Sequence, residues 1–149
     1  MVADGHSFGS TGPYERLVGR IEFALDPAAS HNARIVDLEY APRAADGRVH
    51  FTADLHVLQP TDPAKGNGVL LFEAANRGNR VLGRFNNAGG GRAGVGEFGD
   101  GFLMRDGYTL VAIGWELGLA APNIGVAAPP VTLPSSSTLP VPEPPLRFG

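Results

Sequence analysis

The sequence predicts an α/β fold: antiparallel strands first, then one βαβ unit, then a Pro-rich irregular end. Three observations predict it. Apolar and polar residues alternate with period two between Tyr14 and Val57; two continuous apolar runs, Val69–Phe72 and Tyr108–Trp115, flank a short helical pattern; and the prolines concentrate between Pro122 and Pro145. Alternation marks a strand with one wet face, whereas unbroken apolar runs around a helix mark strands of a parallel sheet.

The first strand is expected from Tyr14 to Leu25, where Ile21, Phe23 and Leu25 alternate with Arg20, Glu22 and Ala24. Asp26-Pro27 ends it, because proline has no N–H to give to a ladder. A second strand is expected from Ala33 to Tyr40, stopped by Ala41-Pro42 and followed by the turn signal Asp46-Gly47. In the third, Val49, Phe51, Ala53, Leu55 and Val57 share one face, and His50, Thr52, Asp54 and His56 the other. The segments on either side of Asp46-Gly47 are expected to form a hairpin. Val69-Leu70-Leu71-Phe72 then reads as a strand buried on both faces, running into the polar, turn-forming Glu73-Ala74-Ala75-Asn76-Arg77-Gly78-Asn79. A Gly-rich loop follows, from about Asn86 to Gly99. Asp100 is placed to cap a short helix through Phe102, Leu103 and Met104, and Gly107 to end it in the left-handed conformation. Tyr108 to Trp115 is the second buried strand. One βαβ unit leaves a parallel sheet incomplete, so residues 1–119 read as the opening of a larger α/β domain and 120–149 as a Pro-rich tail or linker.

Composition narrows the function. The 149 residues carry 12 Lys+Arg against 15 Asp+Glu, a formal charge of −3, which argues against the basic footprint of a nucleic-acid binder. The absence of cysteine removes disulfides, thiolate metal sites and a cysteine nucleophile. No apolar run approaches the roughly 20 residues of a membrane-spanning helix, and Met1 to Ser10 has neither the basic start nor the apolar stretch of a secretory signal. The compartment stays open.

Gly94-Val95-Gly96-Glu97-Phe98-Gly99 matches G-x-G-x-x-G, with Glu116 ending the next strand where a ribose-binding acid would sit. The dinucleotide motif needs its glycines in the turn directly after the first strand. Here the preceding strand ends far upstream and the following helix is barely two turns, so a loop is the better reading and no cofactor is expected. A P-loop is absent. His50 and His56 lie on one face but about 20 Å apart at the strand rise, and no metal-ligand spacing occurs, so no metal site is expected. Asp54 and His56 are close enough on that face to hydrogen-bond, or are simply solvated. No serine is expected to lie in the G-x-S-x-G of a nucleophile elbow; Gly9-Ser10-Thr11-Gly12 comes near but lacks strand–turn–helix context. Asn76-Arg77-Gly78-Asn79 is the polar cluster in a functional place, directly after a buried strand, at the carboxyl end where open α/β sheets bind ligands. Either a backbone amide there faces an oxyanion, or this is a plain turn with Gly78 at positive φ.

The segment Gly101-Phe102-Leu103-Met104-Arg105-Asp106-Gly107-Tyr108-Thr109-Leu110-Val111-Ala112 resembles the helix A to strand 4 region of α/β-hydrolases. A wider resemblance, carried by Phe8-Gly9, Gly12-Pro13-Tyr14-Glu15, Asp26-Pro27, Asn32 to Leu38, Ala41-Pro42-Arg43 and Asn76-Arg77-Gly78-Asn79, is to large bacterial proteins described as α/β-hydrolase domain-containing. It implies a carboxylic-ester hydrolase of which this chain is the N-terminal portion, its nucleophile, acid and histidine lying beyond Gly149. It also implies that Asn76, Arg77 and Gly78 line the oxyanion site. The expectation is then no catalytic residue here and no activity alone, with an ester substrate only in the full-length context and self-association through the exposed sheet. The rival expectation is a small non-catalytic β-rich binding module, with the segment Pro140 to Pro145 as an extended ligand for partner domains.

Overall fold

A computed structural model describes residues 1–86 and 98–133. These form a mixed five-stranded sheet with little helix. Strands β1 (Tyr14–Leu25) and β2 (Val49–Pro60) pair antiparallel along their whole lengths, from Tyr14 opposite Pro60 to Leu25 opposite Val49. The other side of β2 is shared: Leu55–Leu58 pairs antiparallel with β4 (Thr109–Ile113), and Thr52–Ala53 with the short β5 (Val126–Ala127). Strand β3 (Leu70–Ala74) lies outside β4 and parallel to it, giving the order β1-β2-β4-β3. The βαβ expectation holds in this respect: β3 and β4 are parallel, with the single-turn helix α1 (Phe102–Arg105) between them in the chain.

The start and end of α1 follow the sequence. The Asp100 carboxylate accepts from Phe102 N–H at 2.9 Å, covering one of the first-turn amides that no intrahelical carbonyl can reach. Gly107 has φ +77°, its N–H donates to Met104 O at 3.1 Å, and Tyr108 N–H donates to Leu103 O at 3.1 Å. That wraps up the helix in the left-handed manner typical of glycine.

One sheet face carries Tyr14, Leu58 and Leu110, and α1 packs Leu103 and Met104 onto it, with Val2, Phe8 and Phe98 completing the core. Smaller clusters join Leu38, Ala41 and Val49, and Ala75, Ala112 and Ile124.

Four expectations need correction. Residues 33–40 are not a strand. The 3-10 turns Ser30–Asn32 and Leu38–Tyr40 occupy that stretch, with Asp37 left-handed between them. No hairpin therefore forms across Asp46-Gly47. Both sides of β2 are already taken, by β1 on one and by β4 and β5 on the other, so no free edge remains for it. Strand β3 is not buried on both faces: it lies at the sheet edge, reaches Glu73 and Ala74, and leaves Leu70 and Phe72 more than half exposed. Finally, residues 124–127 of the stretch expected to be irregular join the sheet, through buried Ile124 and β5. Residues 134–149 and 87–97, with the Gly-rich loop and most of the G-x-G-x-x-G string, lie outside the described residues.

Candidate functional site

The turn after β3 sits at the carboxyl end of the parallel pair. Ala75 N–H continues the ladder to Ile113 O at 2.9 Å, after which Asn76 and Asn79 close a tight turn with Asn79 N–H donating to Asn76 O at 2.9 Å. Arg77 and Gly78 both take positive φ, +49° and +73°. Only Gly fits at the second position for two reasons. Its φ disfavours any Cβ, and a Cβ there would lie 2.6 Å from Asn123 Cβ and 2.8 Å from Ile124 O. Gly78 O accepts from Ile124 N–H at 3.1 Å, so the turn is fastened to the segment leading into β5.

Of the three residues expected at an oxyanion site, Gly78 is buried and its N–H is directed to Ala75 O at 3.3 Å. Asn76 and Arg77 are exposed and form the side of the turn that a ligand can reach. Gly78 thus positions the turn rather than facing a ligand itself.

A second polar group, on the α1 side of the sheet, escapes a reading of the sequence. Glu73, in β3, is almost fully buried. Its carboxylate accepts from Val81 N–H at 2.8 and 3.1 Å and from Leu82 N–H at 3.0 Å, which clamps the segment 80–86 over the sheet. That segment ends in the 3-10 turn Leu82–Asn86. Asn86, also buried, accepts from Leu103 N–H at 2.7 Å and so satisfies a second first-turn amide of α1. Arg80 Nη1 lies 3.0 Å from His56 Nδ1. A guanidinium can only donate, so Nδ1 accepts and the imidazole proton sits on Nε2. The guanidinium of Arg16, on β1, stands 5.6 Å from the Phe98 ring centroid. Arg16, His56, Glu73, Arg80 and Asn86 line a small cavity. The one signal for them in sequence is a lone carboxylate closing an apolar run; the partners come from four separate segments, and no spacing links them.

Asp54 and His56 do not act as the pair envisaged from their spacing. Asp54 binds Arg20 Nε at 3.3 Å and accepts from Gly125 N–H at 3.0 Å, while His56 turns to Arg80. The serines also need a correction, since Gly5-His6-Ser7-Phe8-Gly9 does carry the G-x-S-x-G spacing. Its surroundings are not those of a nucleophile elbow. A 3-10 turn, Ala3–Gly5, precedes it, no helix follows, and the exposed Ser7 Oγ donates to Gly9 O at 3.5 Å. Among the described residues no group of three or more His, Asp or Glu is placed to hold a metal ion, and no helix is long and apolar enough to cross a membrane.

No protein-family model, curated protein or solved structure matches this chain.

Proposed function

We propose that this chain is the N-terminal segment of a carboxylic-ester hydrolase of the α/β-hydrolase type, in which the turn Asn76-Arg77-Gly78 lines the oxyanion site. One observation carries this reading: a parallel β3–α1–β4 unit follows an antiparallel pair, and a rigid turn is fixed at the carboxyl end of β3. Such a turn presents backbone N–H groups at no cost of reorganisation when charge develops on a substrate carbonyl oxygen. Asn76 and Arg77 are the residues that reach the ligand, and Gly78 holds them in place. The nucleophile, acid and histidine are supplied by sequence beyond residue 149, because an oxyanion site alone does not perform acyl transfer by the triad route.

The test is ester hydrolysis by the purified 149-residue chain. The expected rate with p-nitrophenyl acetate equals that of the Ser7→Ala variant, at the level set by solution hydrolysis plus nonspecific protein catalysis. Turnover abolished by replacing a single serine would overturn the proposal.

A further inference from the structure

Strand β3 is one edge of the sheet, and its outer side carries a regular backbone pattern. Val69 O accepts from Thr109 N–H at 3.0 Å and Ala75 N–H donates to Ile113 O at 2.9 Å, so the odd-numbered residues here turn their backbone groups to β4. Successive residues of a strand turn theirs to opposite sides. The N–H and C=O of Leu70, Phe72 and Ala74 therefore point outward, and among the described residues no strand pairs with them. We infer that a second copy of this chain pairs antiparallel with this edge about a two-fold axis at Phe72, joining two sheets into one. The inference does not rest on the hydrolase reading: a strand supplied from beyond residue 149 and a second copy compete for the same edge.

The backbone and the ends of the strand set the register. Outward residues meet outward residues, so Phe72 stands opposite Phe72 of the second copy and Leu70 opposite Ala74, each pair exchanging both N–H···O bonds, about six in all. Centring the pair on Glu73 instead sets two carboxylates opposite each other. It also calls on Asn76 O, which already accepts from Asn79 N–H in the turn. Centring it on Leu71 brings in Gly68, whose φ of +75° takes the chain out of the strand.

The side chains select a second copy as the occupant. A two-fold axis perpendicular to the sheet keeps each face on its own side, so the rows Leu17, Val57, Val111 and Phe72 of the two copies meet at Phe72 and run on as one. Leu70 and Phe72, both more than half exposed, gain cover. Glu73 stands opposite Leu71 of the second copy and keeps the amides of Val81 and Leu82, so no carboxylate is left unpaired at the contact. The opposite sheet edge suits pairing less well, because β1 carries Glu15, Arg16, Arg20 and Glu22. Strand β3 supplies only its short span Leu70–Ala74 from each copy, against roughly 20–30 residues a side in a standard interface. The dimer is therefore weak and depends on concentration.

The experiment uses the full 149-residue chain, which has no cysteine of its own. Phe72→Cys should give a disulfide-linked dimer under mild oxidation, because a hydrogen-bonded antiparallel pair sets its Cα atoms about 5.5 Å apart, inside the span of a disulfide. Leu70→Cys alone should not, since the two copies of that position lie about 13 Å apart along the strand. Mixing Leu70→Cys with Ala74→Cys should restore the cross-link, between one copy of each. In the wild-type chain, raising the protein concentration should slow amide hydrogen exchange severalfold at Leu70, Phe72 and Ala74 and leave the amides of β1 unchanged. Cross-linking of Leu70→Cys with itself as readily as Phe72→Cys, protection at β1 in place of β3, a dimer without protection at the three amides, or a chain monomeric at every concentration would each overturn the pairing.

Discussion

Tyr14 is fully buried, and its hydroxyl lies 3.0 Å from Tyr108 O and 3.2 Å from Met104 O, donating to both ends of the α1–β4 connection. Burial pushes its phenol up to about 12. An unfolded tyrosine ionises near 10, so the neutral phenol stabilises the fold in full below about pH 10, and that contribution is lost as pH rises toward 12. Tyr14→Phe should cost about 1–2 kcal/mol in denaturant unfolding at neutral pH, by removing the single hydroxyl proton shared between Tyr108 O and Met104 O, the latter keeping the Gly107 N–H. It should also flatten the fall in stability between pH 10 and 12 relative to wild type. Gly78 is the other residue with a sharp expectation. Ala there meets both a left-handed φ of +73° and a contact of 2.6 Å with Asn123 Cβ. Loss of more than about 1 kcal/mol in the same assay is predicted; an unchanged denaturation midpoint would contradict the fastened turn.

At the level of elements, the long alternating strands were legible because their pattern and their burial share one cause. Tyr14–Leu25 and Val49–Pro60 pair along their full length, and the dry face read from the sequence holds near Leu25 and Val49, whereas farther along β2 the core takes Leu58 on the face read as wet, beside His56, and Val57 lies on the other face. The helix α1 was legible through its end signals, Asp100 and Gly107. Residues 33–40 were not. Ile35 and Val36 have strand-like chemistry, but a strand needs an open edge, and β2 offers none; sheet order is non-local and leaves no local mark. The exposure of β3 was hidden for the same reason, since an apolar run does not say whether it lies at the centre or edge of a sheet. Of the site, the turn at Gly78 was readable from its residue types, whereas the clamp between Glu73 and the amides of Val81 and Leu82 was not, because backbone donors carry no sequence signature. Glu73→Gln should test that clamp. Replacing a carboxylate that accepts from two amides is expected to cost about 1–3 kcal/mol and to speed hydrogen exchange at Val81 and Leu82 while leaving β1 and β2 protected. Uniform slow exchange across 80–86 in the variant would contradict it.

Across the whole molecule the two sheet faces differ. One is covered by α1. On the other, Leu17 of β1 pairs with Val57 of β2, Val57 with Val111 of β4, and Val111 with Phe72 of β3, making an apolar row that crosses four strands. At its two ends Leu17 is 48% and Phe72 59% exposed. Strand β3 adds an edge without a proline, bulge or lysine to discourage pairing. An apolar face of this kind, next to an open edge, favours association with a second copy. Sedimentation is therefore expected to show concentration-dependent oligomers that Phe72→Lys shifts toward monomer. A wild-type chain that stays monomeric to high concentration would contradict this. Among the described residues, the edge at β3 and the half-exposed apolar row fit the proposed sheet that continues, which is the central claim. Reading the source DNA beyond the codon for Gly149 tests that claim most directly. The account predicts an open frame that soon encodes G-x-S-x-G between a strand and a helix, followed by an acid and a histidine; a stop codon directly after Gly149 would contradict it.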